Sequence, residues 1–167
     1  DAARRSEPAR RRDADPLNGT CEKVTPRPIP DNQQKMIAAF HTYARQIPDA
    51  PEIPVMVYRE AYIYYDHDHF DRAEPLFLQV VQKYTKHELA VFSANLFLDA
   101  LNIECKYDEL LAWAAKFLEI PALVADRGCF IHLTSVLADS YDLEARRHEK
   151  RGDFKECGRS KLAAAEA

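Results

Sequence analysis

From Asp31 onward, apolar residues recur every three or four positions almost without interruption, the spacing of helices that bury one face. Met36, Ile37, Phe40, Tyr43, Ala44 and Ile47 form the face of a first helix, with Asp31 or Asn32 as its cap. Pro48, Pro51 and Pro54 interrupt the pattern, and Pro54 suits the start of a second helix carrying Tyr58, Ala61, Tyr62 and Tyr65. The polar run Asp66-His67-Asp68-His69 ends it. A third helix presents Ala73, Leu76, Phe77, Val80, Val81 and Tyr84, with Pro75 near enough to its start to cost little. Lys86 to Cys105 reads as a fourth, with Ala90, Ala94, Phe97, Leu98 and Leu101 inward. Leu110, Leu111, Ala114, Phe117 and Leu118 line a fifth. Asp126 is placed to cap a long sixth, with Phe130, Leu133, Leu137, Tyr141 and Ala145 inward, and an alanine-rich helix follows from near Phe154. Mostly short connections make successive helices antiparallel neighbours. The expected class is all-α, with about seven helices.

Residues 1–30 break this pattern. They hold Pro8, Pro16, Pro26, Pro28 and Pro30, half of the 10 prolines, and few large apolar side chains. Such a segment cannot bury enough apolar area to offset its ordering entropy. A flexible tail or linker is therefore expected over 1–30, ahead of a helical domain over 31–167. Charge divides the same way, +2 over 1–30 and −6 over the remainder for a net −4. An acidic body argues against nucleic-acid binding. Arg10-Arg11-Arg12 is the exception, either a patch for phosphates or an acidic partner or a solvated charge run. Four isolated glycines exclude a glycine-rich phosphate loop and argue against hairpin-rich β folds. No apolar run approaches the roughly 20 residues of a membrane span. The chain begins without Met or an apolar leader, so an upstream segment removed in processing, or a longer parent chain, is expected. Either leaves room for a tether upstream of residue 1.

Three turns look alike: His69-Phe70-Asp71-Arg72-Ala73, Lys106-Tyr107-Asp108-Glu109-Leu110 and Gly152-Asp153-Phe154-Lys155-Glu156-Cys157. Each sets an aromatic at a helix–helix turn and a small or apolar residue three positions later. The aromatic fills the gap where two helices cross, and the small side chain lets the backbones approach. Around the first turn, Ala61, Tyr64, Phe70, Ala73 and Phe77 match the signature of the tetratricopeptide repeat, a helix–turn–helix unit of about 34 residues that this stretch resembles. In a second unit, roughly 91–122, Leu98 and Leu110 replace the small residues while Tyr107 and Phe117 keep the aromatic places. A third has Ala145, Phe154 and Cys157, with Lys161 replacing an aromatic. The turn aromatics lie 37 and then 47 residues apart, the second interval implying an inserted turn around 120–128. The resemblance covers about residues 54–167. It implies a right-handed solenoid of antiparallel helix pairs, similar to divergent repeats in bacterial envelope scaffold and assembly proteins. A compact helical bundle of unrelated function is the alternative.

In such a solenoid the first helix of each pair lines a concave face. The repeat register places there Tyr58, Tyr62 and Tyr65, then Asn95, Asp99 and Asn102, then Asp142, Arg146 and Glu149. Tyrosine offers contact area with a polar tip, and asparagine pairs with both groups of a peptide backbone. Relatives that hold a chaperone's terminal carboxylate carry a Lys/Asn clamp on this face. Tyr58 and Tyr62 stand in its first two places here, which argues against that ligand. The implied function is a non-catalytic protein-interaction scaffold without a cofactor, binding a partner protein or peptide segment. The bacterial envelope is favoured over the cytoplasm.

Asp66 to Asp71 offers imidazoles and carboxylates of the kinds zinc, nickel or copper accept, with His67 and His69 as candidate ligands of a metal-binding module. The plainer reading is a set of short polar residues at a turn. Glu60 falls where the repeat has an apolar residue, and a buried carboxylate needs a partner such as Arg59 or Arg72. No Ser–His–Asp, Cys–His or paired-carboxylate arrangement argues for catalysis. Four cysteines, Cys21, Cys105, Cys129 and Cys157, allow several pairings. Cys105 and Cys129 fall on helices that repeat stacking makes neighbours, while buried free thiols are expected for at least two of the four. Any disulfide would imply a periplasmic or extracellular site.

Overall fold

A computed structural model describes residues 24–150. Their regular structure is entirely helical: α1 Asp31–Gln46, α2 Ile53–Asp66, α3 Phe70–Lys83, α4 Leu89–Ile103, α5 Tyr107–Leu118, the short α6 Pro121–Val124 and α7 Arg127–Lys150. The expected third turn, the helix after Phe154, and Cys21, Cys157 and Arg10-Arg11-Arg12 lie outside the described residues.

Local chemistry accounts for most boundaries. Pro54 occupies the first turn of α2, where its missing N–H is not needed. Asp126 caps α7 as its position predicts, accepting a 2.7 Å bond from the Cys129 N–H at Oδ1. The start of α1 differs from expectation. Pro30 is its N-cap with no side-chain cap, and Asp31 lies within the first turn, where its charge favours the helix dipole. The face expected to bury α1 is used in part, with Phe40, Tyr43 and Ala44 half-buried. Ile37 is buried, but Met36 and Ile47 remain 37% and 49% exposed, because α1 packs extensively against α2 alone.

From α2 onward each long helix packs on the next, with α6 wedged between α5 and α7. Alternate helices also meet, α2 with α4 and α4 with α7. Among the described residues no extensive packing joins α2 or α3 to α5 or α7. The main apolar core runs through these contacts from Ile37 to Leu137, and a smaller cluster gathers Phe70, Ala100 and Ile103.

Two connections share one backbone device. After α2, the His69 N–H returns to the Tyr64 carbonyl and the Asp68 N–H to the Tyr65 carbonyl, with Asp68 left-handed at φ 64°. After α4, the Lys106 N–H returns to Leu101 and the Cys105 N–H to Asn102, with Cys105 left-handed at φ 58°. Both are Schellman closures, which normally favour glycine at the left-handed position. They lie 37 residues apart, like the aromatics that follow them.

That register aligns Ala61, Ala73 and Phe77 with Leu98, Leu110 and Ala114, all buried. The second pair exchanges large for small at each place, so interior volume is redistributed. It also corrects the expected equivalence of Phe117, which corresponds to Val80 rather than to Phe77. On α7, Leu133 and Leu137 are buried as expected, but Phe130 is 45% exposed and Cys129 takes the inward position.

Cys129 is a free thiol whereas Cys105 is disulfide-bonded, so the pairing of these two does not occur. Burial, reinforced by the Asp126 charge, pushes the Cys129 thiol up to about 11. It therefore stays protonated and acts as a small core residue.

Candidate functional site

The two tyrosine and asparagine stripes meet where α2 crosses α4. The Tyr65 hydroxyl donates to Asp99 Oδ2, tying the helices face to face. Tyr65 also sets its ring 5.6 Å from Phe70 and 6.0 Å from Phe77, and Tyr58 lies 6.0 Å from Phe77. These two tyrosines are half-buried against α3. Burial first, and then the neighbouring Tyr62, push the Tyr58 hydroxyl up, keeping it a protonated donor. Tyr62 bridges the two rings at 6.2 and 6.3 Å and is 47% exposed.

On α4, Asn102 is exposed, while Asp99 and Asn95 are half-buried. Asn95 Oδ1 is buried without a hydrogen-bond partner. Phe92, 55% exposed, extends the stripe by one turn toward the start of α4. The sequence reading missed it, although the 37-residue register sets it opposite Val55 at the first turn of α2. Arg146 is exposed on α7 and bonds within its own helix, to Asp142 at 2.6 Å. The structure therefore joins the α2 and α4 sets, and records no bond from Arg146 to either.

The Asp66–Asp71 turn receives another part of the chain. Residues 24–30 carry no regular secondary structure and lie against it, where a flexible segment was expected. The Arg27 N–H donates to the His67 carbonyl at 2.8 Å, and its Nε to Asp68 Oδ2 at 2.7 Å. Its guanidinium also donates to the Asp66 carbonyl. Val24 packs on Phe70, Ala100 and Ile103, and Ile29 packs on the main core. Both candidate metal-binding imidazoles are engaged: His69 Nε2 donates to the Arg27 carbonyl at 2.8 Å, and His67 Nε2 to Gln33 Oε1 at 2.7 Å. Among the described residues no three His, Cys, Asp or Glu side chains converge as a metal site. Glu60 is buried as expected, but its partner is His41 of α1, at 2.8 Å, in place of Arg59 or Arg72.

A third polar group links the two helix pairs. Lys106 Nζ lies 3.0 Å from Glu74 of α3 and 2.7 Å from Glu104. Burial, reinforced by a hydrogen bond to Glu104, pushes the Glu74 carboxyl up to about 7 against the pull of Lys106. Burial also raises Glu104, but its bonds to Glu74 and Lys106 outweigh that and leave it below its ordinary value. Burial lowers Lys106, and the two carboxylates more than reverse it. The sequence offered no signal for this trio, since Glu74 lies 30 or more residues before Glu104 and Lys106.

No protein-family model, curated protein or solved structure matches this chain.

Proposed function

We propose that the chain is a non-catalytic scaffold that binds an extended segment of another protein along the face shared by α2 and α4. The observation that carries this reading is the surface around the Tyr65–Asp99 bond. Tyr62, Phe92 and Asn102 stand exposed on two helices whose faces that bond holds in register. Aromatic anchors on a fixed surface bind without losing much side-chain freedom, and asparagine supplies both partners for a peptide backbone. Repeated Schellman turns and alternate-helix contacts favour a tetratricopeptide-like, right-handed helical array over a closed bundle. In that array α7 continues the same face and brings Arg146 to its far end. The Cys105 disulfide favours an oxidising compartment such as the bacterial envelope.

A positional peptide library screened against the full chain, followed by fluorescence anisotropy on its best binders, tests this. Tyr62→Ala with Asn102→Ala is expected to weaken binding by about 10–100-fold while the melting temperature stays near wild type. Lys83→Ala with Glu109→Ala, on exposed positions of α3 and α5, should leave binding unchanged. Equal loss in both variants, or in neither, would reject this face as the binding site.

A further inference from the structure

Segment 24–30 also walls a cleft of about 440 Å³ between itself, α1, the end of α2 and the start of α3. Its apolar lining includes Ile29, Ile37 and Tyr64, the last two buried. Its polar lining includes His41, His69 and Arg72. The volume falls in the range of small-molecule sites, which combine an apolar wall with a few convergent polar groups.

Charge in and beside the cleft is unevenly satisfied. The two neighbouring buried carboxylates are engaged, Glu60 by His41 at 2.8 Å and Asp68 by Arg27 at 2.7 Å. Arg72 is exposed, lies 5.5 Å from the Tyr64 ring centre, and has no ion pair with a described carboxylate. A guanidinium stacked on an aromatic face keeps its fork of N–H donors in one plane, ready for bidentate capture of a carboxylate. His69 and His41 spend Nε2 on the Arg27 carbonyl and on Glu60, which fixes both rings at the rim. With one guanidinium and an apolar wall, the site suits a single negative charge on an apolar body better than a doubly charged phosphate.

We propose that this cleft binds a small monocarboxylate with an aromatic or branched aliphatic body, its carboxylate on Arg72 and its body against Ile37 and Tyr64. The site is separate from the α2–α4 face. The same chemistry is carried by a free acid and by the end of a peptide chain, and the assignment is to the free acid.

Calorimetric titration of the full chain tests it with N-acetyl-phenylalanine, its carboxamide, inorganic phosphate, and a tetrapeptide ending in phenylalanine with a free carboxylate. The acid, with about fifteen non-hydrogen atoms, should bind saturably with a Kd of the order of 0.5 mM. Loss of the charge in the carboxamide, or Arg72→Gln, should weaken binding by about tenfold or more. Ala38→Trp, at an exposed lining position, should block the cleft while leaving Arg72 in place. Thermal unfolding should be unchanged in both variants. Equal binding of acid and carboxamide, phosphate competing as well as the acid, or no effect of Ala38→Trp would overturn the proposal. A tetrapeptide binding about tenfold tighter than the acid would overturn the free-acid assignment.

Discussion

At the first helix turn the left-handed residue is Asp68, buried and paired with Arg27 of the segment that precedes α1. At the second, 37 residues on, it is Cys105, which is disulfide-bonded. The hydrogen bonds closing the two turns are the same, yet neither uses the glycine that such closures favour. A left-handed non-glycine residue costs about 1 kcal/mol. At both places that cost accompanies a side chain that fastens the turn to something else, an ion pair in one case and a covalent bond in the other. The two turns share their backbone hydrogen bonds and differ in what the left-handed residue holds. The helix pairs differ in the same manner: at positions 37 apart, buried Ala61, Ala73 and Phe77 in one are buried Leu98, Leu110 and Ala114 in the other.

The largest expected effect comes from breaking that exchange. Phe77 is fully buried, so Phe77→Ala should cost about 3–5 kcal/mol in urea unfolding. The triple variant Ala61→Leu, Ala73→Leu, Phe77→Ala gives the first pair the pattern of the second. It should lose less than the single variant if the two interiors are equivalent. A triple variant less stable than Phe77→Ala would show that the register aligns the turns but not the cores.

The turns supply the next test. Cys105→Ser removes the disulfide and should cost about 2–4 kcal/mol, whereas Cys105→Gly should lose about 1 kcal/mol less because glycine relieves the left-handed strain. Equal losses would mean that the tether alone sets the energetics of this turn. The same turns bound how much was legible beforehand. The six longer helices and most of their boundaries follow from apolar period and proline placement, as at Pro54 and Asp126, because those signals act within a few residues; α6 falls where only an inserted turn was expected. Tyr65 and Asp99 were expected on one face, and their bond joins α2 to α4. The Glu60–His41 pair, the docking of Arg27 and the exposure of Phe130 were not expected. Each depends on how far one helix rotates or one segment folds back, and apolar periodicity leaves that unspecified.

The smallest effect belongs to the polar trio that joins the two pairs, for which the first turn has no counterpart. Glu74 has an ordinary value of 4.5 and is pushed up to about 7 in the fold. Between those values the folded state keeps a proton that the unfolded state has released, so stability from Glu74 is present on the acid side and is lost as pH rises through this window. Glu104 is held below its ordinary value, so its contribution runs the other way and disappears as pH falls into the acid range. Lys106 is raised, and its contribution is lost only at alkaline pH. Stability from the trio should therefore peak near pH 5 and fall by about 1–2 kcal/mol toward pH 8, allowing for partial solvent screening. Glu74→Gln keeps a hydrogen-bond donor toward Glu104 but cannot ionise, so urea midpoints for this variant should be flatter than wild type between pH 5 and 8. Parallel profiles would mean that the link between the helix pairs carries no net proton uptake, and would leave the apolar contacts of α3 with α4 as the join between them.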